Sequence, residues 1–321
     1  MTFVRHATNP ILTRADIPGI PPFVRDPSSV FNPGAVRFED EVRLLLRVQT
    51  RGRRTYLVPA RSADGVTFDV ADRVATIDGL EAVGGTIHHV YDPRLSVIEG
   101  RGYAVFAVDT DDGCRLVTAA TDDFERFTVI GVDADEDLRN GVLFPERVAG
   151  RYLRLDRPNR PDVAGQPGSG DEIRLSESDD LATWRPVGPV MRGRWHYFDE
   201  LIGAGPPPVK TRDGWLLVYH GIATHFAAAN IYQAGVALLD LEDPTVVLAR
   251  GADNVLEPRE PWELTGQVPN VVFPTGLIVT ETDTSGIALP DARVLLYYGA
   301  ADTSVGLAES SVRDLVTAAH V

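Results

Sequence analysis

The chain reads as an all-β protein, a five-bladed β-propeller with a central polar channel. Three observations predict it. Strand-type apolar runs recur along the whole length, helical periodicity is scarce, and the runs sit inside a repeated phrase. The phrase is a tight turn, an apolar strand, a further strand and an acidic or serine-containing turn. It returns five times, at intervals of about 50 to 80 residues, the spacing of propeller blades.

Each unit can be read in order. The first runs from Glu39-Asp40 through the strand-like stretch 42–48 to Ser62-Ala63-Asp64-Gly65. The second runs from Glu99-Gly100 through 102–108 to Thr121-Asp122-Asp123. The third takes Ala149-Gly150, 151–155 and Ser178-Asp179-Asp180. The fourth takes Arg212-Asp213-Gly214, 215–220 and Leu241-Glu242-Asp243-Pro244. The fifth takes Pro290-Asp291, 293–298 and Glu309-Ser310-Ser311. One such unit cannot bury both faces of its sheet, so residues 1–321 are expected to form one ring and count as one domain. Only Ser311 to His320 suggests a helix, and Asp156 to Asp171, rich in Pro, Gly and Asn, reads as an excursion loop.

Composition narrows the function classes. The chain has 321 residues, a net charge of −15 and no long basic run, so its field repels polyanions and nucleic acid is not expected as a partner. The Arg51-Gly52-Arg53-Arg54 cluster reads as a hairpin tip. Cys114 is the sole cysteine and sits in a strand-like run, as a plain buried thiol would. No stretch has the form of a signal peptide or a membrane span, so a cytoplasmic location is the expectation. Metal chemistry fits poorly, since the seven histidines have no HExxH-type spacing. His88 and His89, adjacent in a strand, are expected to face apart. No Gly-x-Ser-x-Gly elbow is present, and the prolines of Gly203-Ala204-Gly205-Pro206-Pro207-Pro208 forbid the helix start of a nucleotide loop. No cofactor is implied.

Carboxylates remain. His89-Val90-Tyr91-Asp92-Pro93-Arg94 places one carboxyl group beside a proline that fixes the backbone and an arginine that can orient oxygens. Asp199 and Glu200 follow an aromatic run, and further acids occur at Glu257, Glu260 and Glu263. Arg47, Arg139-Asn140, Arg157, His220 and Asp302 stand at or near the ends of expected inner strands. One such residue is an ordinary solvated terminus; five together favour a shared polar pocket, and acids, arginines and aromatics around a channel suit sugar chemistry.

The chain resembles glycoside hydrolase family 130. The resemblance rests on Asn32-Pro33-Gly34, Tyr91-Asp92-Pro93-Arg94, Leu143-Phe144-Pro145-Glu146, Gly203 to Pro208, Trp215 through Gly221, Gly266 to Phe273 and Tyr297 to Asp302, in that order. It implies an inverting enzyme acting on small oligosaccharides with β-linked mannose. In that family the aspartate matching Asp92 is the general acid, working through a mannose hydroxyl. Asn32, Arg47 and Asp302 match residues of the mannose site, with Tyr91, Arg94 and Asn140 beside them. Arg139, Arg157 and His220 match the basic cluster that holds phosphate in the phosphorylases.

The departure is at Glu200-Leu201, where phosphorylases usually carry a lysine. A glutamate about 4 Å from bound phosphate would repel it by roughly 4 kcal/mol at an effective dielectric near 20. The expectation is therefore hydrolysis of β-1,2-mannosides, with Asp92 as acid and Glu200, or else Glu260, as base. The alternatives are phosphorolysis, in which orthophosphate is a cosubstrate and mannose 1-phosphate the product, and a sugar-binding propeller without catalysis.

Overall fold

A computed structural model describes residues 2–159, 170–225 and 229–321. Five small, mainly antiparallel sheets stand in a ring, the architecture of a five-bladed β-propeller. Blade 1 holds the strands Pro27–Phe38, Glu41–Thr50, Thr55–Ser62 and Asp69–Val70. Blade 2 holds Ile87–Ile98, Arg101–Thr110, Gly113–Thr121 and Arg126–Val132, with Thr76–Asp78 added in parallel at its outer edge. Blade 3 holds Leu138–Leu143, Tyr152–Pro158, Glu172–Ser178 and Arg185–Arg192. Blade 4 holds Leu201–Ala204, Val209–Thr211, Gly214–Ala223, Ile231–Leu239 and Val247–Arg250. Blade 5 holds Val272–Val279, Arg293–Ala300 and Ser304–Ser311.

The acidic turns explain the repeat. In blade 1 the Asp64 carboxylate accepts from the Ser62 hydroxyl and from the backbone N–H groups of Val66 and Thr67. Thr121 with Asp123, and Ser178 with Asp180, build the same turn in blades 2 and 3. Asp240 does so without a hydroxyl partner in blade 4. A short side chain that caps its own turn lets one blade pattern recur with different strand sequences.

Blade 5 differs. After Ser304–Ser311 the chain enters the helix Val312–Ala319, whose N-cap is Ser311. The missing outer strand comes from the other end of the chain: Val4 pairs with Glu309 and Arg5 with Ala308. This closure removes an open edge, and the sequence reading did not anticipate it. Of the expected excursion loop, Asp156 to Pro158 complete a strand, and residues 160–169 lie outside the described residues.

Five apolar clusters fill the five seams between neighbouring blades. Leu45 and Leu57 meet Leu95 and Phe106 between blades 1 and 2, and Val105 and Leu116 meet Leu138 between blades 2 and 3. Leu155 and Leu175 meet Trp215 between blades 3 and 4. Val218 and Val236 meet Leu296 between blades 4 and 5, and Leu295 and Leu307 meet Leu44 between blades 5 and 1. At roughly 1.5–3 kcal/mol for each fully buried large side chain, the seams carry the stability. The axis is left for polar groups. Among the described residues, no helix is long and apolar enough to cross a membrane.

Candidate active site

The inner strands place the site by a repeated irregularity. In blade 1 the ladder skips between Phe31 and Gly34, in blade 2 between Tyr91 and Arg94, and in blade 3 between Arg139 and Val142. At each bulge one residue has a left-handed backbone: Asn32 at φ 46°, Asp92 at φ 50° and Asn140 at φ 53°. Asn and Asp tolerate that conformation better than other side-chain-bearing residues, and a bulge re-aims the side chain it carries. Three blades therefore direct a short polar side chain inward. Blade 4 has an unbroken ladder there and offers Gly203, where a Cβ would collide with the His220 ring and crowd Asn140.

Asn32, Asp92 and Asn140 line one cavity of about 290 Å³, together with Arg47, Tyr91, Asp109, Arg139, Arg157, Tyr232, Phe273 and Asp302. Asp92 Oδ1 accepts from Asn32 Nδ2 and from Arg47, both at 2.9 Å. The Arg47 guanidinium is packed between the rings of Phe31 and Tyr91, 4.5 and 4.7 Å from their centres, which fixes it in place. Arg94 is buried behind the cavity and donates to the Asp92 carbonyl at 2.6 Å and to that of Gly205 at 3.2 Å. Burial works to raise the Asp92 pKa, but the Arg47 and Arg94 charges and the Asn32 hydrogen bond outweigh it, so the carboxyl lies below its ordinary range. Asp302 is pushed up to about 6, by burial and then by repulsion from Asp92, with Arg47 opposing. The two carboxyl groups thus have opposed tendencies.

On the side of blades 3 and 4 the site is cationic. Arg139 lies 3.9 Å from Asp109, whose carboxylate also accepts from the Tyr91 hydroxyl at 2.7 Å. Arg157 has no ion-pair partner among the described residues, and its pKa is lowered by burial and then by Arg139. Arg139 Nε, Arg157 Nε, Asn140 Oδ1 and both ring nitrogens of His220 are buried without a hydrogen-bond partner. His220 is not a charged member of this group: burial, then Arg157 and Arg94, hold its pKa well below the ordinary value, so the ring is a neutral donor and acceptor.

Glu200 and Glu260 do not join the cavity. The Glu200 carboxylate is taken up by the hydroxyl and the N–H of Thr224 and by the N–H of His196, and these contacts lower its pKa against a smaller effect of burial. Glu260 is exposed and stands at the N-cap of the short helix Pro261–Leu264. The repulsion expected of Glu200 thus loses its geometric basis, and so does a base role for either residue. Neighbouring Asp199 is buried and held by Arg194, Arg250 and Tyr219, a structural arrangement. Asp109, Tyr232 and Phe273 were missed from sequence. Asp109 lies on the second strand opposite His89, and that register is the signal that could have found it. Among the described residues no three His, Cys, Asp or Glu side chains come together as a metal site.

At the axis of this propeller a hydrogen-bonded aspartate and half-buried guanidinium groups share one cavity. A family description, beta-1,4-mannooligosaccharide phosphorylase, matches residues 4–320, and the chain belongs to that family, glycoside hydrolase family 130. The chain is 31% identical over 299 residues to a 1,2-beta-oligomannan phosphorylase of Thermoanaerobacter sp. (strain X514), covering 90% of this chain and 92% of the relative. It is 30% identical over 318 residues to a beta-1,4-mannooligosaccharide phosphorylase of Ruminococcus albus, covering 97% and 89%. Among solved structures, the beta-1,2-mannobiose phosphorylase from Listeria innocua in complex with beta-1,2-mannobiose superposes with a TM-score of 0.84 at 25% identity, over 99% of both chains.

Proposed function

We propose that the protein is an inverting β-mannoside phosphorylase, which cleaves a β-mannosidic bond with orthophosphate and releases α-mannose 1-phosphate. Hydrolysis, favoured by the sequence alone, gives way to this reading. One observation carries it: Arg139 and Arg157 are strand partners in one half-buried wall, where Arg157 has no counter-ion among the described residues. Two like charges in a low-dielectric wall cost free energy until an anion joins them. The unpartnered nitrogens of His220 and the amide of Asn140 add hydrogen-bonding capacity there. The phosphorylase names of the family match and of the relatives in Thermoanaerobacter and Ruminococcus support the same reading. Leu201 still stands where a lysine is usual, so phosphate is held by two arginines and neutral donors.

In this mechanism a phosphate oxygen bonds to the anomeric carbon as the bond from that carbon to the leaving sugar breaks. The leaving oxygen takes a proton that Asp92 relays through a mannose hydroxyl. Asp92 is left as a carboxylate, the form that Arg47, Arg94 and Asn32 stabilise, so their hydrogen bonds and charges favour the later part of the step. Dihydrogen phosphate can return the proton in the next turnover. The test is incubation with β-1,2- and β-1,4-mannobiose, with and without phosphate. Phosphate-dependent release of mannose 1-phosphate is expected; equal release of free mannose without phosphate would overturn the reading.

A further inference from the structure

One carboxylate of the cavity has no part in the displacement. Asp109 lines the cavity from the second strand of blade 2, partly exposed, next to Arg139. Its Oδ1 accepts from the Tyr91 hydroxyl at 2.7 Å, and Oδ2 has no hydrogen-bond partner among the described residues. Arg139 stands 3.9 Å from Oδ1, too far for a hydrogen bond. An ion pair at that distance between partly exposed side chains is weak, so pairing with Arg139 does not account for the place of Asp109. Tyr91 is itself fixed: its ring packs on the Arg47 guanidinium, 4.7 Å from the ring centre, and its hydroxyl lies 3.5 Å from the Cys114 sulfur. Tyr91 therefore holds the carboxylate beside the guanidinium donors with one oxygen free. The other two carboxyl groups of the cavity, Asp92 and Asp302, group around Arg47 instead.

The chemistry of oxyanions gives that free oxygen a use. A wall made only of donors takes any oxyanion of the right size. Arg139 and Arg157 can only donate. The neutral His220 ring and the Asn140 amide can present either a donor or an acceptor, and neither has a partner to fix the choice. A carboxylate can only accept. Beside Arg139 it matches an anion that carries a hydroxyl group, and it opposes one that does not. Orthophosphate keeps at least one proton at neutral pH, and so does arsenate. Sulfate is also tetrahedral and of similar size, but keeps none. Against sulfate, Asp109 has no hydrogen to accept, and two negative groups stand side by side in one cavity.

We infer that Asp109 selects the nucleophile: its free oxygen accepts a hydrogen bond from the hydroxyl group of bound phosphate, and it thereby rejects sulfate and other oxyanions that carry no proton. The inference rests on the phosphorolysis reading above. The test sets arsenate and sulfate against phosphate in the wild type and in Asp109→Asn. It measures inhibition of mannose 1-phosphate release from mannobiose and the shift in melting temperature with each anion. Asparagine keeps an acceptor for the Tyr91 hydroxyl and can turn an N–H toward the anion. In the wild type, arsenate should compete within about tenfold of phosphate, and sulfate at least about a hundredfold more weakly than phosphate. In Asp109→Asn the ratio of the sulfate inhibition constant to the phosphate KM should fall by about tenfold or more. Sulfate that competes with the wild type as well as arsenate does would overturn the inference, as would an unchanged ratio in the folded variant. Melting temperature reports whether the variant folds, and if it does not, the wild-type preference for arsenate over sulfate decides alone. Turnover that needs no phosphate would sink phosphorolysis; a phosphate-dependent enzyme that fails to reject sulfate would sink only the role of Asp109.

Discussion

Replacing Arg157 with methionine separates a functional from a structural role, because the structure gives the two effects opposite signs. Arg157 is a half-buried cation beside a second one, Arg139, and no carboxylate among the described residues pairs with it. Without phosphate it is therefore a source of strain, and methionine of similar length relieves both the repulsion and the desolvation of the charge. Thermal stability without phosphate should stay level or rise. With phosphate the sign reverses. A guanidinium about 4 Å from a phosphate charge contributes roughly 4 kcal/mol at an effective dielectric near 20, about a thousandfold in affinity, and exposure of the cavity to water would reduce this. The assay is initial rate against phosphate concentration at saturating mannobiose, with melting temperature measured with and without phosphate. KM for phosphate should rise by about a hundredfold or more, and phosphate should no longer raise the melting temperature. An unchanged KM for phosphate, or a marked loss of stability in its absence, would refute the reasoning.

Other consequences are as direct. Asp92→Asn should lower kcat by about a hundred- to ten-thousandfold while mannobiose still binds by calorimetry; a wild type without turnover would instead mark a sugar-binding module. Asp302 titrates near 6 in the folded chain against about 3.9 when unfolded. The folded state therefore holds the extra proton, and the contribution to stability, fully present below about pH 4, is lost as pH rises through 6. Asp302→Asn should flatten that decline in denaturant titrations at several pH values. Glu263 is buried and bonds Arg5 of the closing strand at 2.8 and 2.6 Å and the Tyr298 hydroxyl at 2.8 Å. Glu263→Ala should cost about 3–5 kcal/mol in unfolding free energy, the cost of breaking such a pair.

Much of the fold was legible because its punctuation is local. The turns at Asp64, Asp123 and Asp180 are read from three or four neighbouring residues, and their spacing gives the blades. The pairing of Val4–Arg5 with Ser304–Ser311 was not legible, since two residues carry no strand signal and their partner lies at the far end of the chain. The site divides in the same way. Asn32, Asp92 and Asn140 stand out in sequence because a left-handed bulge demands such residues beside Pro or Gly. Asp109 is hidden, because an acid before Asp111-Asp112 looks like part of a hairpin turn. Glu200 misled for a related reason: sequence places it next to the inner strand of blade 4 but does not record that Thr224 and His196 hold its carboxylate. Nor does sequence show that burial, and then the charges of Arg157 and Arg94, hold the pKa of the His220 ring, matched to a basic cluster, well below its ordinary value.

The central claim is that phosphate, seated on blades 3 and 4, is the nucleophile. Its most direct test is turnover of a β-mannoside in water labelled with heavy oxygen, with phosphate present and the products read by mass spectrometry and by the anomeric signals in proton magnetic resonance. The account predicts α-mannose 1-phosphate with no label at the anomeric oxygen. Free mannose carrying the label as the main product would contradict it.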